Sequence, residues 1–123
     1  MKVCVSAVSD SLDAQLDPRF GRCAYFIILD AETSQFEAVP NVSQGASGGA
    51  GIQASQTIAN KGAKVLITGN VGPNAFEALS AAGIQIITGA SGTVREVVEQ
   101  FKKGEFKTTD APTVGEFSGK TPN

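Results

Sequence analysis

Two stretches of the chain hold residue types that could bind a ligand. The first, Gly45-Ala46-Ser47-Gly48-Gly49-Ala50-Gly51-Ile52-Gln53, sets four glycines ahead of a helical pattern. Glycine has no Cβ, so such a run turns tightly, admits positive φ and lets the backbone come close to another molecule. The helix it opens would present unpaired N–H groups and partial positive charge, which suits an anion. The second, Asp17-Pro18-Arg19-Phe20-Gly21-Arg22-Cys23, offers two guanidinium groups and a thiol. Arginine stays protonated and donates several hydrogen bonds, and a thiolate suits soft metals. On residue types alone a plainer reading fits the second stretch better: Asp17 pairs with Arg19 or Arg22, and Cys23 packs at a strand start.

Other chemistries fail on context. Gly49-Ala50-Gly51-Ile52-Gln53-Ala54 matches the dinucleotide pattern G-x-G-x-x-A. No buried parallel strand precedes it, however, and the next strand ends in Thr68-Gly69 with no acid for a ribose. A phosphate loop is excluded because no G-K-[ST] follows Gly45 at the required spacing. Two-metal nuclease chemistry needs convergent acids. The first strand carries none, and Asp10, Asp13, Asp17 and Asp30 fall in loops or at a strand end. The chain has 2 cysteines and no histidine, too few for a zinc site or a four-thiolate cluster within one copy. Cys4, with no histidine to activate it, reads as a core residue.

The elements that must position these groups follow from hydrophobic periodicity. Lys2 to Val8 reads as a strand apolar on both faces. Asp10 to Gly21 is a turn-rich loop. Cys23 to Asp30 and Gln35 to Val39 form a hairpin across Ala31-Glu32-Thr33-Ser34, with Pro40 marking an edge. A helix runs from about Gly49 to Asn60 and stops at Gly62. Two similar units come next: Ile67-Thr68-Gly69-Asn70-Val71-Gly72 and Ile87-Thr88-Gly89-Ala90-Ser91-Gly92 each join a short apolar run to a helix, as consecutive parallel β-α units do. Pro73 suits a first helical position, and Thr93 with Glu96 has capping-box spacing. The expected architecture is one α/β domain over residues 1–104, a mixed five-stranded sheet with helices on both faces. Residues 105–123 read as a flexible tail. The loops Ser9 to Arg22, Gly69 to Pro73 and Gly89 to Thr93 are expected at the carboxyl edge of the sheet, where ligands collect.

Composition narrows the partners. A net charge of −2 and 8 aromatic residues (7 Phe, 1 Tyr) argue against nucleic acid. No apolar run is long enough for a membrane span or a signal peptide, which makes the cytoplasm the expected location.

Three motifs taken together resemble the dinitrogenase iron-molybdenum cofactor-binding family, which includes NifX-like proteins and the carboxy-terminal domain of NifB. They are Asp17-Pro18-Arg19-Phe20-Gly21-Arg22-Cys23-Ala24-Tyr25-Phe26, Gly48-Gly49-Ala50-Gly51-Ile52-Gln53 and Gly69-Asn70-Val71-Gly72-Pro73-Asn74-Ala75. The resemblance implies a ribonuclease H-like three-layer fold without nuclease activity that binds or carries an anionic metal-sulfur cluster. Iron-molybdenum cofactor or another molybdenum-containing cluster would be the cargo. It also implies a site built from Arg19, Arg22, Gly48, Gly49, Gly51, Asn70, Gly72 and Asn74, with Cys23 as a metal ligand. Some nitrogenase-associated members are thought to use histidine, which this chain lacks, so Cys23 or capture by N–H groups and arginines would have to substitute. The expected function is a non-enzymatic carrier with cluster-delivery or acceptor proteins as partners. Two alternatives stand beside it: a module for a small phosphorylated metabolite, and a regulatory domain.

Overall fold

The structure is a computed structural model that describes residues 1–46 and 48–113. Strands β1 (Lys2–Ala7), β2 (Tyr25–Asp30), β3 (Phe36–Pro40), β4 (Ala63–Ile67) and β5 (Gln85–Ile87) form one sheet in the order β3-β2-β1-β4-β5. β1 pairs antiparallel with β2 and parallel with β4; β2–β3 is antiparallel and β4–β5 parallel. The expected mixed five-stranded α/β sheet is therefore observed.

Alternation along the strands divides the core in two. Val3, Val5 and Ala7 face one side with Ile27, Leu29, Val65 and Ile67, and helix α3 (Val94–Lys102) covers them with Val94, Val97 and Val98. Cys4, Phe26, Ile28, Leu66 and Ile86 face the other side under helices α1 (Ala50–Asn60) and α2 (Pro73–Ala81), through Ala54, Ile58, Ala75 and Leu79. β1 is central and its residues from Val3 to Ala7 are buried, as a strand sandwiched between helices must be.

Some boundaries differ from expectation for local reasons. β2 begins at Tyr25 and not at Cys23, because Phe20–Arg22 winds into a 3-10 turn and the Cys23 carbonyl accepts from Asn41 Nδ2 at 2.8 Å. β3 begins at Phe36, and its last residue, Pro40, sits on the sheet edge where a missing N–H costs no ladder bond. The Asp10–Gly21 loop is irregular yet pinned by isolated bridges, Ala7 to Leu16, Gln15 to Thr93 and Arg19 to Asn70. Of the stretch read as a tail, residues 105–113 are described. Phe106 packs against the α3 side of the core, and the Thr109 N–H donates to the Ile86 carbonyl at 2.6 Å. Residues 114–123 lie outside the described residues.

Candidate functional site

A cavity of about 480 Å³ opens at the carboxyl edge of β4, lined by three segments: Arg19–Arg22, Gly49–Ile52 and Asn70–Ala75. It thus gathers Arg19, Arg22, Gly49, Gly51, Asn70, Gly72 and Asn74 of the expected site residues. Gly48 stands outside it in the preceding loop, and Cys23 lies behind it in the core. The Gly89–Thr93 loop, expected at the same edge of the sheet, joins the Gly69 turn there through the Gly89 N–H on the Gly69 carbonyl at 2.8 Å but does not line the cavity.

The first turns of α1 and α2 meet in the floor. A Cβ on Gly51 would lie 3.0 Å from Ala75 Cβ, so a larger residue here would press the two turns apart. Gly21 backs onto the same turn, where a Cβ would lie 3.0 Å from the Gly51 nitrogen. Gly49, at φ 73, occupies the left-handed region and caps α1. Gly72 caps α2, and Pro73 takes its first position, where no N–H is required. Among the described residues no side chain caps either helix and neither first turn holds an acid. Two positive helix ends therefore sit side by side without a built-in counter-charge, an arrangement that suits an anion between them.

The arginines have distinct local roles. Asp17, 3% exposed, accepts from Arg19 Nε at 3.1 Å, from Arg19 Nη2 at 3.0 Å and from the Arg19 N–H at 2.9 Å. Burial raises the Asp17 carboxyl, but the Arg19 hydrogen bonds and charge outweigh it and hold it below the usual carboxylate range. The fork fixes the guanidinium at the cavity rim and leaves its remaining donors unengaged by Asp17. Asp17 is itself seated by its N–H on the Ser6 carbonyl (2.9 Å) and by Ser6 Oγ on its own carbonyl (2.6 Å), with Thr68 Oγ1 2.7 Å from Ser6 Oγ. Arg22 Nη1 donates to the Gln44 and Ala46 carbonyls at 3.0 and 2.5 Å, stapling the glycine loop to the 3-10 turn. That loop is also held by Asn41 Nδ2 on the Gly21 and Cys23 carbonyls and by Ser43 Oγ on Asn41 Oδ1 at 2.7 Å.

The sequence reading missed Ser6, Thr68, Asn41 and Ser43. Asn41-Val42-Ser43 directly after Pro40 has the composition of an Asx turn, the one local signal that could have marked it.

Cys23 is fully buried; its Sγ donates to the Phe20 carbonyl at 3.2 Å, and burial, with the Asp17 charge next, pushes the thiol up to about 12. A protonated, enclosed thiol is a poor ligand. Cys4 is likewise raised by burial and by Cys23. Among the described residues no three Cys, Asp or Glu side chains gather to hold a metal ion. The cavity's donor set is therefore N–H groups and guanidinium, lined with Phe20, Ile52, Val71 and Pro73, and none of its described lining residues is acidic. Such a set fits a preassembled anion and does not fit a bare cation.

Comparison with known proteins places this geometry in context. Residues 1–104 match the family described as dinitrogenase iron-molybdenum cofactor. The apo form of the orange protein from Desulfovibrio gigas superposes with a TM-score of 0.89 at 46% identity, covering 90% of this chain and 94% of that one. A putative NifB protein from Thermotoga gives a TM-score of 0.77 at 37% identity, covering 87% and 91%. An uncharacterized protein of Methanocaldococcus jannaschii is 28% identical over 96 residues, 76% of this chain and 81% of that one.

Proposed function

The chain belongs to the dinitrogenase iron-molybdenum cofactor family, and from that premise we propose that it is a non-enzymatic carrier of an anionic metal-sulfur cluster. The observation that carries the reading is the pairing of two helix N-termini that no side chain caps, beneath Arg19 and Arg22 in a cavity whose described lining holds no acid. The cluster, as cargo, would be held by its outer sulfides. The N–H groups of α1 and α2 bind them, Arg19 and Arg22 offset the negative charge, and Asn70 and Asn74 add amide donors at the rim. Family membership supports a metal-sulfur cargo in general, with a molybdenum-containing cluster as the specific proposal. The orange protein was solved in its apo form, a description that goes with a protein having a group to bind.

Cys23, enclosed and protonated as it stands, would leave capture noncovalent. The apolar wall that Ile52 presents, backed by the buried Phe20 and Val71, suits a weakly hydrated cluster surface better than a strongly hydrated phosphate. A carrier of this kind implies delivery and acceptor proteins and a cytoplasmic setting, in keeping with its two unbridged cysteines.

Anaerobic reconstitution with sulfide and salts of Fe, Mo and Cu, followed by desalting, elemental analysis and absorption spectra, tests the reading. Stoichiometric metal with visible absorption is expected, together with an undiminished yield in Cys23→Ala. No retained Fe, Mo or Cu overturns it. A thermal shift with inorganic phosphate alone would favour the metabolite module in its place.

A further inference from the structure

We infer that residues 105–113 form a strap that positions the Asn70–Ala75 wall of the cavity, with Thr113 as its positioning residue. The family match ends at residue 104, and the strap follows it directly. Gly104, at φ 73, turns the chain out of α3, and Phe106 tucks against the core. The strap then follows the outer edge of β5. The Thr109 N–H bonds the Ile86 carbonyl at 2.6 Å, Thr109 Oγ1 accepts the Thr88 N–H at 3.1 Å, and the two threonine hydroxyls lie 2.6 Å apart. These contacts occupy the place of a sixth strand and cover an edge that would otherwise be open.

At its far end the strap reaches the site. The Thr113 N–H donates to the Val71 carbonyl at 2.9 Å, and Thr113 Oγ1 accepts the Val71 N–H at 2.9 Å, so one residue satisfies both backbone groups of another. Val71 is 1% exposed, and a backbone N–H or carbonyl left unpaired there carries a desolvation cost. Its neighbours are held from other directions: the Gly69 carbonyl accepts the Gly89 N–H at 2.8 Å, and the Asn70 N–H donates to the Pro18 carbonyl at 2.8 Å. Gly72, the next residue, caps α2. The peptide planes flanking Val71 thus set where Asn70 points and where the α2 N–H groups aim. Of the contacts that hold this loop, the strap supplies the one nearest the helix start.

The claim about cargo rests on the carrier reading, whereas the claim about positioning does not. The test uses the full chain with Thr113→Val, which removes Oγ1 and keeps the backbone donor, and Thr113→Ser, which keeps both. Amide exchange by NMR should show the Val71 N–H of Thr113→Val exchanging roughly fivefold faster or more. Resonances of Asn70, Asn74 and Ala75 should shift while the amides of α3 keep wild-type rates, and Thr113→Ser should restore the wild-type pattern. Cluster retained after reconstitution with ferrous iron, molybdate and sulfide should fall by half or more in Thr113→Val and recover in Thr113→Ser. Unchanged Val71 exchange, or a uniform acceleration that includes α3, overturns the strap. A wild-type protein that retains no metal defeats the carrier reading instead, and the exchange pattern then decides the strap by itself.

Discussion

The two Ile-Thr-Gly-x-x-Gly turns begin alike and end in opposite chemistry. Each follows a parallel strand and opens a helix. The second closes its helix: Thr93 Oγ1 accepts the Glu96 N–H at 3.1 Å, Glu96 Oε1 accepts the Thr93 N–H at 2.8 Å, and the acid sits in the first turn. The first leaves α2 with a glycine at its cap, a proline and no acid, against α1, which likewise has a glycine cap and no capping side chain. A glycine turn before a helix is common to both, so it cannot define the site. What separates them is whether the positive end of the helix has been answered from within the chain. Where it has, the turn is structural; where it has not, the helix end stays open to the anion proposed above.

The sharpest way to break this contrast is to change the third residue of each turn. A Cβ on Gly69 would stand 2.4 Å from Pro18 Cβ and 2.5 Å from Pro18 Cα, so the backbone that carries Asp17 and Arg19 would have to move. Gly69→Ala should cost about 3 kcal/mol in urea unfolding and abolish cluster retention. Gly89 meets nothing within 4 Å but has φ 76. Gly89→Ala should therefore cost only about 1–2 kcal/mol of backbone strain and leave retention intact. Equal effects of the two would erase the distinction.

Supplying the missing acid gives the next largest effect. Asn74 is the second residue of α2 and exposed at the cavity, and Asn74→Asp would give that helix the kind of charge α3 carries in Glu96. Stability should rise by about 0.5 kcal/mol from the helix dipole. Affinity for the anionic cargo should fall about tenfold, in line with unit charges a few ångströms apart at a protein surface. A titration in which stability and affinity move together would show that the cargo does not sense these helix ends. The reciprocal change, Thr93→Ala, should lower the thermal midpoint through a loss of about 1 kcal/mol while retention stays at the wild-type level.

The fold was legible because periodicity reports burial directly: Val3, Val5 and Ala7 against Cys4, and Val94, Val97 and Val98 along one stripe, need no tertiary knowledge. The cavity was legible only in part. Arg19, Arg22 and the glycines were found from their types, and the plain alternative of an Asp17–Arg19 ion pair is present in the structure beside the site. The site uses that pair as its orienting fork, a combination that residue types alone do not suggest. Ser6 and Thr68 meet across a separation of 62 residues, and Asn41 reaches Gly21 across 20. Such contacts depend on strand order, which local pattern leaves open. Cys23 illustrates the converse limit. Its chemistry invited a metal, but its position after the 3-10 turn directs Sγ to the Phe20 carbonyl in the core.

The smallest expected effect is the part of the acid dependence that Asp17 contributes on the cavity side. The folded Asp17 carboxyl lies below its unfolded value of about 3.9, because the Arg19 fork outweighs its burial. A depressed carboxyl contributes stability that is fully present above the unfolded value and is lost as pH falls through the folded one. The Arg19 side chain is 66% exposed, so solvent screens the pair and the contribution stays modest. The wild-type urea midpoint should therefore show no Asp17-dependent change between pH 7 and about pH 5, then acquire an acid limb below about pH 4. In Asp17→Asn that component should be absent, and the gap between the two proteins should narrow as pH falls. Thr93→Ala should track the wild type in its acid limb, displaced by a constant amount, because its loss lies on the capped helix and not at the fork. An acid limb of the same size in Asp17→Asn and wild type would mean that Arg19 is not held by the carboxylate in solution. The cavity rim would then present a mobile guanidinium, and the orienting role of Asp17 would fall with it.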